Sequence, residues 1–266
     1  IKKGYDIVQG CRLPAGGGKI NKDAMPITHK YIGNPIFSLL TRILYKVPIN
    51  DVYCGMKILK NSFFKKINFF STGMVFCLEI LIKSKINNAK ISELPITLFK
   101  DGRKVGKSHL RTISDGLKTL KFIMICSPKL LFFIPSFLFL MIIPFITFNS
   151  GNFLGNDLKK IILLDFLLIF LSIQFFMLGI YSALRAKQLQ IYKGKMLSKF
   201  FKFFKLRLAL IIGLLMIFLP LISNILKIEI FNADYNFIVL NLFILLGVNL
   251  IANSFFVSLL AIDENN

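Results

Sequence analysis

Five short stretches of this chain bring turn-forming, acidic and basic residues together. They are Gly10-Cys11-Arg12, Ala24-Met25-Pro26, Gly33-Asn34-Pro35, Asp51-Val52-Tyr53-Cys54-Gly55-Met56-Lys57, and Asp101-Gly102-Arg103 through Ser108-His109-Leu110-Arg111. None decides a chemistry alone, because glycine-rich turns are usually only turns. Together they point to phosphate. Arg12, Arg103, Lys107 and Arg111 fall on loops or element ends, where arginine and lysine suit multidentate binding of phosphate oxygens. A basic loop can equally be a solvated face. Here it abuts a helix expected at a membrane surface, which favours a phosphate held there.

The elements that must position these residues read as mixed α/β over the first half. Asp6–Cys11 is expected as a strand, Leu13–Pro26 as a loop and Thr28–Lys46 as a helix. A strand at Gly55–Leu59 precedes a short helix capped by Asn61. Met74–Lys85 reads as helix and Lys90–Phe99 as a strand. Residues 109–129 form an amphipathic helix with Leu110, Ile113, Leu117, Leu120 and Met124 on one face, and a basic helix of that kind before a membrane span lies in the headgroup plane.

The second half is different. Leu130–Phe148, Leu208–Leu226 and Phe237–Ile262 carry no charge, and Ile161–Leu184 carries only Asp165. Each is long enough to cross a bilayer, which takes about 20 apolar residues. Four transmembrane helices are therefore expected near 130–148, 161–184, 208–226 and 237–262. The segment Arg185–Arg207 holds eight basic residues and no acid. By the positive-inside rule it is cytoplasmic, which puts residues 1–129 and the chain's end on the same side. Asp165, near a helix end, is expected to sit at the interface or pair locally.

Composition agrees with this division. The 266 residues are 55% apolar, with mean hydropathy +0.67 and net charge +21. Residues 1–129 contribute +16 and residues 130–266 contribute +5. This excludes a disordered, collagenous or disulfide-stapled chain, and suggests anionic partners at a membrane. Cys11, Cys54, Cys77 and Cys126 form no C-x-x-C pair and lack zinc spacing, so they read as free thiols. No helix-turn-helix or aromatic-interleaved basic motif supports nucleic-acid binding.

The ordered stretches resemble the membrane-anchored family-2 glycosyltransferases of the dolichol-phosphate mannose/glucose synthase type. The resemblance runs from about Gly4 to Leu131. It rests on Asp23-Ala24-Met25-Pro26, His29-Lys30-Tyr31-Ile32-Gly33-Asn34-Pro35, Asp51 with Cys54-Gly55-Met56-Lys57, Gly73-Met74 with Glu79, Glu93-Leu94-Pro95, and His109-Leu110-Arg111-Thr112 with Asp115-Gly116. It implies the C-terminal part of a GT-A-type α/β domain (residues 1–108), the interfacial helix (109–129), and an α-helical membrane domain of four transmembrane helices (130–266). It implies transfer of a hexose from a nucleotide diphosphate sugar to a polyprenyl phosphate, undecaprenyl or dolichyl, at the cytoplasmic face of a membrane, in bacteria the inner one.

By the same resemblance Asp51 is the catalytic carboxylate, either a base or an orienting group. Arg12, His29 and Lys30 would bind the acceptor phosphate, and Arg103, Lys107, Ser108, His109 and Arg111 the donor diphosphate. Glu79 is either a structural or a site acid. Lys57 stands where the family commonly has arginine. A divalent metal, Mg or Mn, is expected for such an enzyme, held by an Asp-x-Asp that does not occur in this sequence. The chain is accordingly expected to be an N-terminally truncated fragment, inactive alone and holding no metal ligands, while a homo-oligomer stays open. The rival reading is a non-catalytic four-helix membrane protein, a lipid-sugar flippase partner or transporter subunit with a basic cytoplasmic domain. It accounts for helices and charge but not for the ordered motifs.

Overall fold

The computed structural model describes residues 4–102, 112–149, 158–191, 206–226 and 233–261. The donor-loop residues Arg103, Lys107, Ser108, His109 and Arg111 lie outside them. The chain forms two compact units, one built on Ile1–Cys126 and one on Ser127–Gln188 and Tyr192–Asn266.

The first unit is organised by a three-stranded sheet with β1 (Ile7–Cys11) in the middle. It pairs antiparallel with β3 (Lys57–Leu59) and parallel with β4 (Ile91–Pro95). Ile7, Gln9 and Cys11 alternate onto one buried face, as the two-residue period of a strand requires. The strand expected over Lys90–Phe99 is two strands, β4 and β5 (Thr97–Leu98), and the cause is a change of partner. Ile96 N–H still donates to the Cys11 carbonyl at 2.9 Å, but the Ile96 carbonyl accepts from Lys19 N–H at 3.0 Å. The chain thus leaves β1 for β2 (Lys19–Ile20) within one residue. The cap expected at Asn61 is also displaced. Lys60 is the capping residue of α2 (Asn61–Phe64), and it makes no side-chain cap bond.

Two helices of this unit have unusual faces. A π-helical turn, His29–Gly33, leads into α1 (Asn34–Tyr45). This helix buries a polar stripe, Asn34, Ser38 and Thr41, and exposes Ile36, Leu39 and Ile43. In water that arrangement is inside out. Helix α4 (Thr112–Cys126) likewise exposes Ile113, Leu117, Leu120 and Met124 while burying Phe122 and Ile123. Tyr45 Oη donates to the Ile123 carbonyl at 3.0 Å and joins the two helices. Between α2 and α4 lies α3 (Gly73–Ile86), whose buried residues include Glu79 and Lys83.

The second unit contains four helices long and apolar enough to cross a membrane. A π-helical turn, Lys129–Phe133, opens α5 (Ile134–Phe148). Then come α6 (Leu158–Gln188), α7 (Leu206–Ile225) and α8 (Ala233–Ala261). Where the surroundings are as apolar as the helices, association depends on close approach and polar contacts. Ser136 and Ser172 each donate to the other's carbonyl at 2.9 Å, tying α5 to α6. Tyr181 Oη donates to Asn253 Oδ1 at 2.6 Å, tying α6 to α8. Asp165 of α6 pairs across to α5, its Oδ2 accepting from Thr147 Oγ1 at 3.0 Å, while its Oδ1 is buried without a partner among the described residues.

Helices α7 and α8 touch through glycine. A Cβ on Gly247 would lie 2.7 Å from the Gly213 carbonyl oxygen and 2.8 Å from Ile217 Cγ1. A backbone carbonyl cannot swing aside, so Gly247→Leu should destabilise this pair by about 1–3 kcal/mol. Thermal unfolding in detergent will show a lowered midpoint for Gly247→Leu and an unchanged one for Val248→Leu, whose side chain is exposed.

Candidate functional site

The site grows from the end of β1. Arg12 follows the strand directly, and the loop between α1 and β3 brings Asp51 to it. Asp51 is fully buried, and both of its carboxylate oxygens accept from Arg12: Nε donates to Oδ2 at 2.7 Å and Nη2 to Oδ1 at 2.8 Å. The Arg12 backbone N–H adds a third bond to Oδ2 at 3.0 Å. Such a bidentate pair fixes the guanidinium plane as well as its position. Burial alone would lower the Arg12 pKa, but the Asp51 pair outweighs it and holds the value above normal.

Arg12 lines a cavity of about 450 Å³ together with Met25, His29, Asn34, Tyr53 and Asp101, among others. A second cavity of about 230 Å³, lined largely by apolar surface, shares His29, Asn34, Tyr53 and Met74 with it and reaches Ile32 and Phe37 of the α1 region and Asp115 and Gly116 of α4. The two cavities therefore have a common wall, with Arg12 lining the first and residues of α1 and α4 lining the second. Tyr53 belongs to that wall. Burial raises its pKa against an opposing bond to Thr119, so the phenol stays neutral.

The structure brings Arg12, Asp51 and His29 together. Lys30 does not line either cavity's described wall; its ammonium sits 4.9 Å from the ring centre of Tyr31. Glu79 is elsewhere, in a buried ion pair with Lys83 at 2.7 Å. Its carboxylate also accepts from Ser71 N–H at 2.7 Å and from Phe70 N–H at 3.1 Å. The Lys83 ammonium donates to the Asn68 carbonyl and lies 4.3 Å from the Phe70 ring centre. This pair clamps the segment before α3 to the helix.

Several residues that sequence reasoning left without a role crowd around Asp51. Glu93 accepts from Asn50 N–H at 2.9 Å, Asp51 N–H at 2.9 Å and Asn50 Nδ2 at 2.9 Å. Gln9 Nε2 donates to the Asp51 carbonyl. Lys57 donates to the carbonyls of Cys54 at 2.7 Å and Val52 at 3.3 Å. The Glu-Leu-Pro motif and the lysine at an arginine position were the available signals for Glu93 and Lys57. Gln9 carried none. The approach of loop to strand also needs Gly18, since a Cβ there would lie 2.2 Å from the Cys11 carbonyl oxygen.

The four cysteines are free. Burial and the nearby Glu93 carboxylate push the Cys11 thiol up to about 12, which keeps it protonated beside the site. Among the described residues no group of three or more His, Cys, Asp or Glu converges to hold a metal. The Asp51 and Glu93 carboxylates are occupied by Arg12 and by N–H donors, so they do not fit a divalent cation either.

Comparison with known proteins finds one informative likeness. The chain is 28% identical over 132 residues to the low-salt glycan biosynthesis hexosyltransferase Agl6 of Haloferax volcanii. The alignment covers half of this chain, and the chain spans only 30% of the length of that relative. No family model matches the chain. The similarity is thus to a hexosyltransferase, over the half of this chain that the alignment covers.

Proposed function

We propose that this chain supplies the acceptor side of a hexosyltransferase that moves a sugar from a nucleotide diphosphate sugar to a polyprenyl phosphate at the cytoplasmic face of a membrane. The observation that carries the reading is the pair of adjoining cavities: one lined by the Arg12 guanidinium, and a more apolar one between α1 and α4. An amphiphile with a phosphate head and a hydrocarbon tail matches that pair. The likeness to a hexosyltransferase and the four apolar helices support the same reading.

In this mechanism Arg12 holds the acceptor phosphate and His29 flanks it. A phosphate oxygen attacks the anomeric carbon of the donor sugar. The carbon–oxygen bond to the nucleoside diphosphate breaks, and the diphosphate leaves with the bonding electrons. The nucleophile is already an anion, so no base need remove a proton. Asp51 acts as the orienting carboxylate, through Arg12. Catalysis then comes from positioning and charge neutralisation. We assign Arg103, Lys107, Ser108, His109 and Arg111 to the leaving diphosphate and Lys30 to the outer acceptor surface. Nothing among the described residues would hold a metal.

The test uses the full-length gene product in membranes, supplied with radiolabelled nucleotide sugars and polyprenyl phosphate. Label should enter the organic-extractable lipid and fall at least tenfold in Arg12→Ala. Absence of lipid-linked label across uridine and guanosine diphosphate hexoses, with folded protein, would overturn the reading.

A further inference from the structure

The loop Asn50–Cys54 carries both Asp51, which grips Arg12, and Tyr53, which walls both cavities. It has no regular secondary structure, yet residues 51–54 are all buried. Buried backbone N–H and C=O groups must find partners; Val52 N–H finds Ser38 of α1, and five further bonds come from one place in the sheet. In the sheet, Gln9 of β1 is paired with Lys57 of β3 on one side and with Glu93 of β4 on the other. Directly paired residues point to the same face, so Lys57, Gln9 and Glu93 form a polar row across three strands. Each member takes loop groups of the matching polarity. Lys57 takes the Val52 and Cys54 carbonyls, Gln9 takes the Asp51 carbonyl, and Glu93 takes the Asn50 and Asp51 N–H groups.

We infer that the row Lys57–Gln9–Glu93 is a positioning device that sets the loop, and through Asp51 sets the Arg12 guanidinium, for binding a phosphate monoester. This rests on the acceptor reading above and names the residues that determine its geometry. The row has the character of a built part. The next row along the same face, Leu59–Ile7–Ile91, is wholly apolar, so the polar row sits only where the loop lies. Its charges are ordered, with a cation facing carbonyls and an anion facing N–H groups. Gln9 Oε1 is buried without a partner, a cost that an apolar residue at position 9 would avoid. The same amide supplies the bond to the Asp51 carbonyl. Burial lowers the Lys57 pKa, in keeping with an ammonium spent on carbonyls rather than on water.

Two readouts on the full-length gene product in detergent test this. The first is calorimetric binding of decyl phosphate, which does not depend on transfer. The second is steady-state transfer with acceptor and donor varied separately. Glu93→Gln places an amide donor against N–H groups, and Lys57→Met removes the ammonium. Both should weaken decyl phosphate binding at least tenfold and raise the acceptor KM similarly, with the donor KM unchanged. Lys57→Arg, which can still reach two carbonyls, should return binding to within about threefold of the parent. Amide exchange at Asn50 and Asp51 should quicken in Glu93→Gln while α3 stays protected, which identifies folded protein with a loosened loop. Parent-like phosphate binding in folded Glu93→Gln and Lys57→Met would overturn the proposal, as would equal shifts in both KM values or a parent that binds no decyl phosphate. If the parent binds and the variants weaken as stated but no sugar is ever transferred, the row stands and the transferase reading falls.

Discussion

Asp51→Asn will lower kcat/KM for the polyprenyl phosphate on the order of 100-fold, chiefly through the acceptor KM. The carboxylate accepts two side-chain N–H bonds and one main-chain N–H bond from Arg12. Asparagine keeps the shape but turns an NH₂ group toward one of those donors. Charged hydrogen bonds are worth about 1.5–3 kcal/mol each, and each 1.36 kcal/mol is a decade in rate, so one bond lost and one clash gained gives the stated size. The split between constants distinguishes roles. If Asp51 orients Arg12, the acceptor KM carries the loss and the pH profile keeps its shape. A fall confined to kcat, with the acid limb of the profile removed, would make Asp51 a base instead. Unchanged transfer would remove it from the site.

The second large effect is on stability. Lys83→Met leaves Glu79 buried without its cation and should cost about 3–5 kcal/mol, as should Glu79→Gln in the other direction. The double variant Glu79→Gln/Lys83→Met should recover much of that loss, because no buried charge remains and the glutamine oxygen still accepts from the Ser71 and Phe70 N–H groups. Chemical denaturation of the four proteins in detergent measures the coupling. Acid adds a second signature. Burial pushes the Glu79 pKa up, but the bonds from Lys83, Ser71 N–H and Phe70 N–H outweigh it, and the folded value lies below normal. A depressed carboxylate stabilises above its unfolded value of about 4.3 and loses that contribution as pH falls through the folded value. The parent should therefore lose stability below about pH 4.3, and the double variant should lack this part of the acid slope.

Local pattern was enough for some of this molecule. The charge-free runs anticipated four apolar helices, and the Ile113–Leu117–Leu120–Met124 spacing marked the exposed face of α4. What the sequence could not show depends on contacts between distant residues. Lys90–Phe99 alternates like one strand, and only the switch of partner at Ile96 divides it. Arg12 and Asp51 were both singled out, but nothing local says that one grips the other. The polar row needs the register of three strands, and Gln9 alone looks like any strand glutamine. Helix α1 misleads most. Its isoleucines and leucine would be core in an ordinary helix, and their outward direction follows only from Ser38 and Thr41 turning inward. Ser38 Oγ accepts from Val52 N–H at 3.1 Å, so the polar stripe has a partner in the site loop.

That last contact gives α1 a consequence for substrate choice. The helix that shows its apolar side also holds the loop, through Ser38 to Val52 and through Arg42 to Asn50 Oδ1 at 2.6 Å. On the acceptor reading proposed above, the depth at which α1 met a bilayer would set the altitude of Arg12 above the hydrocarbon. An enzyme built on that reading would measure its acceptor by height: a phosphate anchored at the level of the lipid heads would be in reach, and the same phosphate on a freely diffusing sugar would have no reason to stop there.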